Sequence, residues 1–480
     1  MQEFYVDIHC HPTMRAINTT PNGLGRNIWE STKNDLVNSF IGKWAWEQSK
    51  TVSKFSQSNF YNCINGKTRV VFDSFYPIER GFINFRKIPQ LLIGKKTLET
   101  LAITASGISV AQMRKYREQH DYFQELNDQY NFLVKNQGAS PCGAYNYRIV
   151  NNYQELENSL RNEHNTINVI VTIEGAHAFG CGTQITEKMH IDELKQLLRN
   201  NINTVKKWEY APFFITFAHH FWNQLCGHAM TLPVPTTIAC TQKKGLDITF
   251  TELGSFVLEE LLSARNGKRI LIDTRHMSVN SRRHYIDFIS QHNKLNPDDR
   301  IPLISSHSAV NGFETMDHSL QIKDSISKKK STSFCAWSLN ISAEEAIAIH
   351  ESGGIAGVIL DKGRHSGVNL LKSIEKIQNI NDKKEQFLKL ICDNIFFYIS
   401  AINKKSAWDI LTIGSDFDGV IAHFDIYEDM SKMPEFKKDL IDFFTRNKYR
   451  SDLWFGYTPE EMIHKLFTQN AMDFLKRNFK

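Results

Sequence analysis

Short runs of β-branched and aromatic residues recur along the chain, each closed by polar or turn residues. Longer stretches with apolar residues at helical spacing lie between them. Eight such runs stand at 4–9, 68–75, 168–174, 213–219, 269–274, 302–307, 355–360 and 411–416. In 253–264, Leu253, Phe256, Val257, Leu261 and Leu262 share one helical face, and 343–351 and 385–402 keep the same period. A last helix starts at Thr458-Pro459-Glu460-Glu461, where Thr458 caps, Pro459 suits the first turn and Glu461 completes a capping box. Strands alternating with helices make parallel βα units, and eight of them predict an α/β fold, a closed (β/α)8 TIM-type barrel. The intervals 13–67 and 76–167 far exceed ordinary connections, so they predict helical insertions after strands 1 and 2, with a helical stretch at 110–135. No internal repeat or low-complexity linker is evident, and 1–480 reads as one elaborated domain.

Composition narrows the class. The 57 Lys+Arg and 52 Asp+Glu leave a net charge of +5, and 41% apolar with 23% charged residues is the balance of an ordinary globular protein. The densest basic run, Lys328-Lys329-Lys330, reads as a solvated loop, so no nucleic-acid partner is expected. No segment approaches the roughly 18 consecutive apolar residues of a membrane helix. Residues 1–7 lack a basic and apolar leader, so the expectation is a cytoplasmic protein with no membrane partner. Eight scattered cysteines without a Cys-x-x-Cys pair read as reduced thiols. Aromatics in the first insertion (Trp29, Trp44, Trp46, Phe55, Phe60 and Tyr61) read as packing against the barrel, with a lid or a homodimer contact as the other reading.

The chemistry sits where the strands end. Strand 1 closes on His9-Cys10-His11, and residues two apart on a strand share a side, so both imidazoles can face the barrel axis. Strand 3 closes on Glu174-Gly175, a carboxylate that is costly beside an apolar run unless paired or ligated, next to a glycine that permits close approach. Later strands close on His219-His220, Asp273-Thr274-Arg275-His276, Ser306-His307-Ser308 and Asp416-Phe417-Asp418. Each alone has a bland reading as a hydrogen-bonded core group or a solvated strand end. In a (β/α)8 barrel these ends share one mouth. Core packing gives no reason to gather titratable groups there, and the convergence points to a metal site.

With these residues in view, the sequence resembles the amidohydrolase superfamily and, within it, the membrane (renal) dipeptidase family, peptidase family M19. The matching segments are VDIHCHP (6–12), VVFDSFYP (70–77), VTIEGAHAFG (171–180), FITFAHHFWN (214–223), FTELGSFVLEELL (250–262), ILIDTRHMS (270–278), PLISSHSA (302–309), SLNISAEEAIAIHESGGIAGVIL (338–360) and IGSDFDGV (413–420). They stand in the family's order and leave out most of 13–67, 76–167 and 312–335. The resemblance implies a hydrolase of amide or peptide bonds with two divalent metal ions, zinc first, that supply hydroxide near neutral pH, and a small peptide-like substrate. It places His9 and His11 on one ion, His276 and His307 on the other, and Glu174 between them. Asp416 would handle the water's proton, His219 would face the scissile group, and Asn340 would lie beside the substrate. Asp418 would support its loop, and His220, pointing away from His219, would be structural.

Two departures bear on the expectation. His11 stands where the family usually has Asp, which makes the site one charge more positive. Leu339 stands where the family has the arginine that helps bind the substrate's carboxylate, and leucine cannot form that pair. The expected substrate is therefore a modified peptide or another N-acyl amine and not a free dipeptide, with Lys362, Arg364 or Lys328–Lys330 as possible replacements. Two other readings stay open at this point: a TatD-like phosphodiesterase, which uses a similar ligand set, and a non-catalytic barrel serving as a binding scaffold.

Overall fold

A computed structural model describes residues 3–18, 27–31, 55–83, 108–118, 121–232, 240–321 and 331–480. Its ten strands are β1 Tyr5–Cys10, β2 Thr68–Phe75, β3 Gly138–Ala139, β4 Asn146–Ile149, β5 Thr166–Glu174, β6 Phe214–Thr216, β7 Leu271–Asp273, β8 Ile304–Ser308, β9 Ile355–Val358 and β10 Leu411–Ile413. Eight form a parallel ring in the order β2-β1-β10-β9-β8-β7-β6-β5, which the pairing of β5 with β2 closes. These are the eight strands expected from the sequence. Their residues are buried throughout, as they must be between a packed barrel interior and a layer of helices.

The insertion after β2 is helical only in part. The helical stretch at 110–135 is two helices, Val110–Glu118 and Tyr122–Lys135, and Asp121 caps the second by accepting from the Gln124 N–H at 3.0 Å. Beyond them β3 and β4 form a short ribbon that was not expected. The first half of β5 pairs with β4 and its last two residues pair with β6. A four-residue strand of alternating burial, Asn146–Ile149, carries too little pattern to be read alone.

In the first insertion, Trp29 is buried against Phe60, which meets Tyr147 of β4, so these aromatics pack the insertion onto the barrel. Tyr61 packs beside them, and Phe55 lies near His423. Trp44, Trp46 and Lys328–Lys330 fall outside the described residues. The carboxylate of Asp418 ties this insertion to the loop after β10 by accepting from the Gln57 N–H (2.9 Å), the Ser58 N–H (2.8 Å) and the Ser58 hydroxyl (2.6 Å). All eight cysteines are free thiols. No helix among the described residues is long and apolar enough to cross a membrane.

One buried side chain holds the connections near the mouth in place. Arg282, in the helix Val279–Leu295, donates to the carbonyls of Met277 (2.6 Å) and Ser338 (2.7 Å) and pairs with Glu345. Glu345 in turn accepts from the Ser342 N–H and hydroxyl, completing the capping box of Ala343–Glu351. Replacing Arg282 with Met strands the Glu345 charge in the interior. The expected cost is about 3–5 kcal/mol, read as a lower urea midpoint with an unchanged slope.

Candidate functional site

All seven side chains that the sequence reading gathered around a metal centre converge at the C-terminal mouth of the barrel. Glu174 closes β5, His9 and His307 lie in the last two residues of β1 and β8, and His11, His219, His276 and Asp416 stand one to three residues beyond their strands. Glu174, 3% exposed, is the hub. Its Oε1 lies 3.4 Å from His9 Nε2 and 3.6 Å from the Nε2 atoms of both His276 and His307. Its Oε2 lies 3.2 Å from His11 Nε2 and 3.6 Å from His219 Nε2. Asp416 Oδ1 completes the group, 3.4 Å from His11 Nε2 and 3.8 Å from His9 Nε2.

The loops that deliver these groups are conformationally demanding. His276 and Asp416 hold φ of +65° and +61°, unusual for residues with side chains and characteristic of functional turns. Asp416 is suspended by its own N–H on the His9 carbonyl (2.9 Å). A Cβ at Gly419 would lie 2.0 Å from Asp416 Oδ1, so glycine there makes room for the carboxylate. Gly175, at φ +89°, likewise leaves space for the His177 ring, which a Cβ would meet at 2.3 Å.

The outer nitrogens of the imidazoles are held by the scaffold. His11 Nδ1 lies 2.7 Å from the Ser74 carbonyl, which only a protonated Nδ1 can satisfy, so Nε2 is left to face Glu174. The Ser306 hydroxyl donates to Asp273 Oδ2 (2.6 Å) and stands 2.8 Å from His307 Nδ1 and 3.2 Å from His9 Nδ1. With its one proton committed to Asp273, it accepts from both rings and turns both Nε2 lone pairs inward. Asp273 is fully used by the Arg275 and Ser306 N–H groups and the Thr216 and Ser306 hydroxyls, so it serves as a brace.

The electrostatics agree with this division. Burial would raise the Glu174 carboxyl, but His219, His9 and His11 around it hold it well below the usual range. Burial pushes His276 and His307 well below an ordinary histidine, reinforced by neighbouring imidazoles, so both stay neutral. Burial opposes a charge on His11, yet Asp416 and Glu174 raise it well above normal, because two carboxylates compete for one Nε2 proton. A divalent cation would take that same place.

The fit to metal ions rests on the donors themselves. His9, His11 and Glu174 form one three-ligand set, and Glu174, His276 and His307 form another. The Nε2 atoms of His9 and His11 are buried with no hydrogen-bond partner, an expensive arrangement that ligation would relieve.

Some placements differ from expectation. His220 does not point away: its ring centroid is 3.9 Å from that of His219 and 5.0 Å from that of His276. β6 ends at Thr216, so strand alternation does not reach residues 219 and 220. Asn340 is buried, and its Nδ2 donates to the carbonyls of Cys335 and Arg364 at 2.9 Å each, which leaves Oδ1 for any other contact. Lys362 is committed to Asp425 (2.6 Å) and Glu375 (3.2 Å).

Glu79 was missed. It stands four residues beyond β2, buried, and its Oε2 lies 2.7 Å from His219 Nδ1. It also accepts from the N–H groups of His220 and Phe221 and from the Tyr76 hydroxyl. Burial opposes a charge on His219, but Glu174 and Glu79 raise it above an ordinary histidine. Its position inside a segment set aside as insertion concealed it, although a lone carboxylate in the aromatic run after a strand is the same signal that marked Glu174.

Removing the shared hydroxyl tests the bracing of His9 and His307. Ser306→Ala is expected to weaken metal affinity about 10–100-fold, read by titration against a competing chelator, with the circular dichroism spectrum unchanged.

No protein-family model matches the chain, and no curated protein matches it at a significant level. Solved structures do. One is a metallopeptidase of family M19, dipeptidase AC, with TM-score 0.51 and 13% identity over 100% of this chain and 99% of the other. A metallopeptidase from Rhodobacter sphaeroides, bound to a phosphinate mimic of the dipeptide L-Ala-D-Ala, gives TM-score 0.50 and 14% identity over 99% of each chain. The probable dipeptidase PvdM from Pseudomonas aeruginosa gives TM-score 0.50 and 13% identity over 88% of this chain and 89% of its own. The fold of this chain, the closed (β/α)8 barrel, is therefore the one that these structures share.

Proposed function

We propose that the chain is a metal-dependent hydrolase of the M19 dipeptidase kind, cleaving an amide or peptide bond in a small dipeptide-like or N-acyl amine substrate. The observation that carries this reading is the shared carboxylate: Glu174 belongs to two ligand sets at once, one with His9 and His11 and one with His276 and His307. The same barrel in three structures described as metallopeptidases or dipeptidases supports it.

Two divalent ions, zinc first among them for an imidazole and carboxylate set, would supply Lewis acidity there and lower the pKa of a water to near neutrality. The chain's own residues do the rest. Asp416 Oδ1, within 3.8 Å of two ligand nitrogens, takes the attacking water's proton and returns it to the leaving amine. His219, fixed through Nδ1 by Glu79, presents Nε2 toward the reacting centre and donates to the oxygen that gains charge as the carbonyl carbon becomes tetrahedral. Water adds across the bond, the C–N bond breaks, and a carboxylic acid and an amine leave. No serine, cysteine or lysine nucleophile takes part.

Metal content per chain, measured by plasma mass spectrometry on protein purified without chelator, tests the reading first. Two equivalents are expected, and none after zinc is restored would overturn it. Asp416→Asn should then keep the metal and lose about 10²–10⁴-fold in kcat.

A further inference from the structure

His220 has no task in the hydrolytic step, although its ring stands in the mouth against those of His219 and His276. One nitrogen of each of these three residues lies within 4.8 Å of the others. Glu79 sets the backbone that delivers the pair. Its Oε2 accepts from His219 Nδ1 (2.7 Å) and from the His220 N–H (3.2 Å), and its Oε1 accepts from the Phe221 N–H (2.9 Å). Phe82 packs nearly perpendicular to the His220 ring, with centroids 5.2 Å apart.

Hydrogen-bond accounting fixes which nitrogen of this ring carries the proton. Gln242 Oε1 accepts from the backbone N–H groups of Thr231 (3.2 Å) and Leu232 (2.9 Å), which settles the amide orientation and makes Nε2 the donor. Gln242 Nε2 donates to the His220 carbonyl and to the Thr231 hydroxyl oxygen, both at 2.7 Å. Thr231 is fully buried, so its hydroxyl has to place its own proton on an acceptor. The remaining partner of that hydroxyl among the described residues is His220 Nδ1, at 2.5 Å. Thr231 therefore donates to Nδ1, and the neutral imidazole carries its proton on Nε2. Nε2 has no hydrogen-bond partner among the described residues, and the residue is only partly buried. A metal ion needs a lone pair, and this tautomer shows an N–H in its place. The relay thus sets His220 apart from His9 and His307, whose Nε2 lone pairs the Ser306 hydroxyl turns inward.

We infer that His220 is a second oxyanion donor: its Nε2–H hydrogen-bonds, beside His219, the substrate oxygen that gains charge as the carbonyl carbon becomes tetrahedral. This rests on the hydrolase reading and deepens it. Nitrogens within 4.8 Å of each other can both reach one shared oxygen at about 2.9 Å. The two rings also divide the work. His219 spends its Nδ1 proton on Glu79 and donates at Nε2 only as the imidazolium, whereas His220 donates as a neutral ring. An N–H held in place by Thr231 and Gln242 needs no reorganisation as the charge develops.

The test uses the full chain with zinc restored, with alanyl-alanine and its C-terminal carboxamide as substrates. On whichever the wild type turns over faster, His220→Phe is expected to lose about 10²-fold in kcat, with KM within about twofold. His220→Gln, whose amide N–H can stand near the position of Nε2, should recover part of the loss. Nitrogen-15 NMR of histidine-labelled protein reads the tautomer directly, the His220 signal being the one that His220→Gln removes. The Nε2–H form is expected in the wild type, and a mixture of forms in Thr231→Val. An Nδ1–H signal in the wild type would overturn the inference. So would a kcat of His220→Phe within about twofold of the wild type, a change in KM alone, or equal losses in His220→Phe and His220→Gln, the result expected of a packing role. Because the tautomer is read on the wild type, misfolding of His220→Phe cannot shield the inference. Hydrolysis of neither substrate by the wild type would sink the hydrolase reading and the donor role with it, whereas hydrolysis that His220→Phe leaves intact removes the donor role alone.

Discussion

A carboxylate at the end of a buried strand has to be neutralised, and the mouth of this barrel is organised around that requirement. Glu174 sits almost fully out of water with five imidazole Nε2 atoms within 3.6 Å. Imidazoles alone answer the demand imperfectly, because they then compete for protons with a second carboxylate, Asp416. A divalent ion would answer it more fully, since each ring could then offer a lone pair while the carboxylate belongs to two candidate ligand sets.

The surrounding shell makes that answer specific. Imidazole can present either nitrogen, and a site built on five histidines is useful only if each presents the right one. Ser306 decides this for His9 and His307, the Ser74 carbonyl for His11, and Glu79 for His219. The single proton of the Ser306 hydroxyl is taken by Asp273, itself fixed by neighbouring strands, so the tautomers of two ligands follow from the stitching of β6, β7 and β8. The strained turns at His276 and Asp416 fit the same logic, because a rigid barrel rim can hold backbone conformations that a free loop would relax.

Much of this was legible in the chain. The eight strands could be read from β-branched runs, and the metal-ligand candidates from what stood at their ends, because a closed barrel converts a position along a strand into a position around one mouth. The β3–β4 ribbon could not, since strands of two and four residues carry no decisive period. His220 was misplaced because alternation was extended past the end of β6, where the chain is no longer a strand. Glu79 escaped because its partner, His219, is 140 residues away and the segment holding it lacks a family pattern.

The sequence by itself determined the architecture and the cluster of candidate ligands at the mouth, for these depend on local periodicity and on which residues stand at the strand ends. The tertiary structure alone decided which nitrogen several of the imidazoles show and which acid, Asp273, is consumed as a brace. Those are relations between atoms brought together by closure of the ring. Arg275 and the Leu339 carbonyl, 64 residues apart in the chain and 2.8 Å apart in space, have no signature in either segment alone.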